Sequence, residues 1–218
     1  MAAPAKQPDM EDRLPVLIVT VVALVLYFFL PTPFGHFPSW IVPAIGIAAV
    51  TPLVIFNPRK INREEKWSRW LGVGFAILLA VVNQLYVGAI IHELINGQVS
   101  GPGVLLTAAG VWVTDIIAFS LVYWELDKGG PVARRVEGLS DDAQQDFRFP
   151  QQDNTTGVEG WMPEFFDYAY FALSNMMAFS PTDVMPLTRR AKGLMAFQAV
   201  TGFVILALVI SRAVNILT

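Results

Sequence analysis

The chain has 218 residues, 54% of them hydrophobic and 15% charged, with a formal net charge of −3. That balance excludes an ordinary soluble domain and points to a chain solvated largely by lipid. Cysteine is absent and histidine is limited to His36 and His92, so thiolate metal sites, disulfides and Ser-His-Asp chemistry have almost no raw material. No basic, aromatic-rich surface of the kind nucleic acid requires is present, and nucleic acid is not an expected partner.

In chain order, residues 1–13 form a short N-terminal segment. Residues 14–95 then hold three apolar stretches, Leu14 to Leu30, Ser39 to Phe56 and Trp70 to Ile95. Two more follow, Val104 to Trp124 and Leu194 to Leu217. Each approaches or exceeds the roughly 20 residues that cross a bilayer core, so five transmembrane helices are expected. Tyr27, Phe28 and Phe29, followed by PTPFGHFP instead of a small-x-small cleavage site, mark the first as a retained helix. Between the last two spans, Met162 to Met185 is apolar but broken by Asp167, Asn175, Pro181 and Asp183, the pattern of a re-entrant segment. The predicted fold class is therefore all-α integral membrane, with five spans and one re-entrant helix.

Fourteen of the fifteen basic residues fall on one predicted side, Arg212 being the exception. The positive-inside rule makes that side, and the N-terminus, cytoplasmic. Trp67, Trp70, Tyr123, Trp124 and Trp161, with Trp40 and Tyr86 nearer the other side, are expected to form interfacial belts. Residues 125–161, and onward to Asp167, carry ten acids against four bases and read as a solvated connection. Its functional alternative is an acidic vestibule that concentrates cations. Gly129, Gly130 and Pro131 end the preceding helix.

Among intramembrane polar residues, Asp115 is costly enough to be a candidate site, either as a relay or paired with Arg212. Asn83, Gln84 and Gln198 are expected to hydrogen-bond across helices. No nucleophile-base pair, metal cluster or phosphate loop appears, so no catalytic residue, metal or cofactor is assigned and no enzyme activity is expected.

The run from Tyr170 to Thr188, YFALSNMMAFSPTDVMPLT, resembles the pore helix and filter of potassium channels. Tyr170, Phe171, Asp183, Pro186 and Thr188 match that pattern, and Ala191-Lys192 replaces its usual Gly-Arg. The whole chain, YWELDKGGP included, also resembles a group of bacterial membrane proteins of uncharacterised activity that carry the same altered filter. The resemblance implies a pore module over 104–218: an outer helix 104–124, an acidic loop 125–161, a pore-helix-like segment 162–185 and an inner helix 194–217. It also implies a homotetramer in the bacterial inner membrane and monovalent cations as partners. The filter glycines, however, are replaced by Ser180-Pro181-Thr182. Serine and threonine resist positive φ and proline fixes its own near −65°, so a stack of carbonyl cages does not carry over.

What the resemblance retains is a polar turn in which Asn175 sits at the base and Ala178, Phe179, Ser180, Pro181, Thr182 and Asp183 line a constriction. Rings of such hydroxyls and carboxylates pass or hold partly hydrated cations. The charge count inverts this module relative to potassium channels, as in ionotropic glutamate receptors. The alternatives are a Ser-Pro-Thr-Asp turn with only a structural role, and a non-conducting assembly subunit whose axis is plugged by Phe179 and Pro181.

Overall fold

The computed structural model describes residues 10–31, 38–61, 65–95, 102–136, 144–152, 161–177 and 183–217. It is mainly helical: α1 (Leu14–Phe29), α2 (Ile41–Phe56), α3 (Lys66–Ile95), α4 (Pro102–Leu126), α5 (Phe165–Met176) and α6 (Arg189–Leu217). A two-residue strand pair, β1 (Phe147–Arg148) antiparallel to β2 (Met185–Pro186), completes it.

Three helices among the described residues, within α3, α4 and α6, are long and apolar enough to cross a membrane. The expectation of five spans is met only in part. At 16 residues each, α1 and α2 rise about 24 Å against a hydrocarbon core of about 30 Å. Both α3 and α6 begin earlier than hydropathy alone predicts, because charged residues that lower an apolar score still form a helix. In α6 the Thr188 hydroxyl accepts from the Ala191 amide at 3.1 Å, capping a first turn that holds Arg189 and Arg190.

Six helix ends gather at one face. Arg13, at the start of α1, donates from Nη1 to the carbonyls of Leu53 and Asn57 at the end of α2, the latter at 2.8 Å. Arg69 near the start of α3 pairs with Glu125 at the end of α4 at 3.2 Å. Glu11 accepts from the Phe165 amide that opens α5 at 2.5 Å, and Arg190 reaches the Leu126 carbonyl from the start of α6. Arg13, Arg69 and Arg190, from three helices, therefore share this face.

The 16 residues of α1 and α2 alternate little between polar and apolar, and Leu14, Ile18, Val21, Val25, Phe28 and Phe29 stay exposed. On an apolar helix such exposure suits lipid as the solvent. By contrast, Tyr86, Tyr123 and Trp124 are buried, so these three belong to the protein interior and not to an aromatic belt. Tyr123 stacks on Phe171 with ring centroids 4.7 Å apart, and Phe147 packs edge-on against both. Trp40, Trp67 and Trp70 are exposed.

The stretch after α4 also departs from expectation. Its described part is largely buried rather than solvated, because Val132, Phe147 and Phe149 join the apolar core, the two phenylalanines packing on Tyr123, Phe171 and Tyr168. The turn that makes this possible has Lys128, Gly129 and Gly130 all at positive φ, 47°, 79° and 98°. Glycine supplies that backbone freely, and a Cβ on Gly130 would lie 1.7 Å from Arg69 Nη1.

Candidate functional site

The helix α5 starts at the shared face and stops partway along α6. A capping box fixes its start: the Glu164 side chain accepts from the Asp167 amide and the Asp167 carboxylate from the Glu164 amide. Its last residue, Met176, has its carbonyl oxygen 2.5 Å from where a Cβ on Gly202 would stand. Gly202 lies thirteen residues into α6, about 20 Å from the shared face. By β2 the chain is back at that face, since Met185 pairs with Arg148 and the Leu187 amide donates to the Asp146 carbonyl at 2.7 Å.

Asn175 and Gln198, singled out in the sequence, are brought together. Gln198 Oε1 accepts from the Tyr123 hydroxyl at 2.7 Å and from Asn175 Nδ2 at 2.8 Å. Its Nε2 donates to the Ala172 carbonyl at 3.1 Å, and Asn175 Nδ2 also reaches the Met195 carbonyl at 3.0 Å. One buried amide thus ties α4, α5 and α6 together; each such bond is worth roughly 0.6–2 kcal/mol in a membrane. Asn175 is held against α6 by these contacts.

Asp115, eight residues before Tyr123 on α4, anchors a second buried network. Its Oδ1 accepts from Asn83 Nδ2 at 2.7 Å and Gln84 Nε2 at 2.9 Å. Asn83 Oδ1 in turn takes the hydroxyls of Thr114 at 2.6 Å and Tyr27 at 3.2 Å, and Gln84 Oε1 takes Thr201 at 3.2 Å. Side chains from α1, α3, α4 and α6 meet there. Asp115 Oδ2 has no hydrogen-bond partner among the described residues. Arg212, the partner in one of the two readings given for Asp115, has a side chain that lies outside the described ones. Its position is eleven residues beyond Thr201 on α6, about 16 Å along the axis.

Of the proposed constriction, Ala178, Phe179, Ser180, Pro181 and Thr182 lie outside the described residues. Asp183 is exposed and stands two residues before β2, hence close to the shared face.

Sequence reasoning missed a third cluster, built from charges at that face. Asp127, 1% exposed, accepts the Asp146 amide at 2.7 Å and the Phe147 amide at 3.2 Å on Oδ1, and the Tyr168 hydroxyl at 2.6 Å on Oδ2. Asp146 accepts from Thr188 and pairs with Arg190 at 2.5 Å. Arg134 donates to the carbonyls of Trp124 at 2.6 Å and Asp127 at 3.0 Å and lies 5.0 Å over the Tyr168 ring. Glu11 takes Trp124 Nε1 at 2.9 Å and faces Arg134 at 3.9 Å. Burial pushes the Glu11 carboxyl above its ordinary range, with Arg134 and the Phe165 amide pulling the other way. The available signal was the density of charge around a Gly-Gly-Pro turn in DKGGPVARR, where solvation was assumed.

No family profile matches the chain, and neither a curated protein nor a solved structure matches it. Apolar helices long enough to span a bilayer define the class as a membrane protein.

Proposed function

We propose that the protein is an ion-channel-like membrane protein, a cation-conducting or cation-binding homotetramer whose pore module is α4, α5 and α6. The observation that carries this reading is the half-length α5: it enters beside α4 and α6, ends at Gly202, and the chain returns to the face it came from. Non-helical backbone at membrane depth is tolerated only inside protein or along a water-filled cavity. A ring of such segments around an axis satisfies that requirement. Along α5, Phe166, Tyr170, Leu173 and Met177 form an exposed face at helical spacing, and it is available to neighbouring copies. On this reading Ser180, Thr182 and Asp183 supply hydroxyl and carboxylate rings for partly hydrated monovalent cations, without the backbone cages of a potassium filter. The N-terminus and the shared basic face are cytoplasmic, in the inner membrane of a bacterium.

The test is cation flux into proteoliposomes holding the purified protein, comparing potassium, sodium and protons in wild type, Ser180→Gly and Asp183→Asn. The expected outcome is a flux whose rate or ion order changes in both variants. A folded, four-fold oligomer that passes no ion would replace this reading with the non-conducting assembly subunit.

A further inference from the structure

At the shared face, α1 to α4 leave a cleft of about 70 Å³. Its walls are apolar, with Leu17 from α1, Val50 and Leu53 from α2, Phe75 from α3 and Leu121 from α4. Its mouth is charged: Arg13, Arg69 and Glu125 line it, two guanidinium groups and one carboxylate, which leaves one net positive charge. Arg69 is turned to Glu125. Arg13 is about nine-tenths buried and commits Nη1 to the α2 carbonyls, while its Nε–H has no hydrogen-bond partner among the described residues. A buried donor left unused costs about 1–3 kcal/mol, which an acceptor brought to it would recover.

An apolar slot between apolar helices, closed at the positively charged face by an unspent guanidinium N–H, matches one class of molecule. Basic pockets between helices on that side suit lipid head groups, and a phosphate is the acceptor that a guanidinium geometry fits. We propose that this cleft binds an anionic glycerophospholipid of the bilayer, its phosphate on Arg13 Nε and the first methylenes of one acyl chain between Leu17, Val50 and Phe75. The site lies among α1 to α4, away from α5, and does not depend on conduction.

The experiment titrates lipid-stripped, full-length protein in detergent with dioctanoyl phosphatidylglycerol, dioctanoyl phosphatidylcholine and inorganic phosphate, following the thermal midpoint. Phosphatidylglycerol is expected to raise the midpoint saturably by about 3 °C, with little response to the other two. Arg13→Lys keeps the charge and a donor for the α2 carbonyls but deletes Nε–H, and is expected to raise the half-saturating concentration about tenfold. Val50→Phe fills the slot from a half-buried position and is expected to abolish the response without touching the arginine. An equal response to inorganic phosphate or phosphatidylcholine, or an unchanged half-saturation in Val50→Phe, overturns the proposal.

Discussion

Replacing Asp127 by alanine strands three donors at once: the amides of Asp146 and Phe147 and the hydroxyl of Tyr168. All three residues are at most 1% exposed, so water does not readily replace the lost acceptor. An unsatisfied buried donor costs about 1–3 kcal/mol. Allowing the Tyr168 hydroxyl to turn elsewhere, the two amides alone give a loss of about 3–5 kcal/mol. For a chain of this size each kcal/mol moves the thermal midpoint by roughly 2–4 °C, so a fall of about 10 °C is expected. Asp127→Asn keeps Oδ1 for both amides and turns an NH₂ toward the tyrosine oxygen, and about a third of that loss is expected. The assay is thermal unfolding of purified protein in detergent, followed by helical circular dichroism. A fall of less than about 3 °C for Asp127→Ala, or an asparagine variant as unstable as the alanine one, would refute the assignment of Asp127 as the acceptor that seats the strand pair.

Two other expectations can be read by the same assay. Gly202→Ala sets a methyl group 2.5 Å from the Met176 carbonyl, so α5 or α6 must shift, at about 1–3 kcal/mol; Gly193→Ala, with open space around it, should be neutral or stabilised through helix propensity. A Gly202→Ala protein as stable as wild type would mean that α5 does not abut α6 there. Because burial raises the Glu11 carboxyl above its ordinary 4.5, the unfolded chain ionises first as pH rises. Stability from this group is therefore greatest below pH 4.5 and declines as pH climbs toward the folded value. The midpoint of wild type minus that of Glu11→Gln should accordingly shrink between pH 4 and pH 7, and a difference that grows instead would show that Glu11 is held charged in the fold.

Much of the helical frame was legible because apolar runs of this length have few alternatives. The cores of α3, α4 and α6 follow directly from hydropathy, and Asn83, Gln84 and Gln198 announced interhelical bonding because a polar amide inside an apolar run needs a partner. Helix starts were less legible: Lys66 and Arg189 lower a hydropathy average but join a helix whose first turn faces water. The least legible part followed α4. Ten acids in a segment read as solvation, yet Asp127 and Asp146 are buried acceptors whose donors, the Phe147 amide, Tyr168, Thr188 and Arg190, lie 20 to 44 residues away. Composition reports how many charges a segment has, whereas burial depends on whether distant groups converge on them. Asp115 shows a related limit: an acid inside an apolar run announces a need for partners, but which groups meet it, here two α3 amides on Oδ1, depends on how the helices pack.

The seat of Glu11 has a temporal side. Its side chain is fixed by Trp124 and by the Phe165 amide, groups that emerge 113 and 154 residues after it on the growing chain. At synthesis rates of 5–20 residues per second the last of them arrives roughly 8–30 s later. The Glu11 side chain is thus seated only once α4 and the start of α5 have been made. Until then the polar end of the α1–α2 hairpin is held only within itself, by Arg13 on the α2 carbonyls and by the backbone bonds of Glu11 and Arg13 to Ile61 and Arg59.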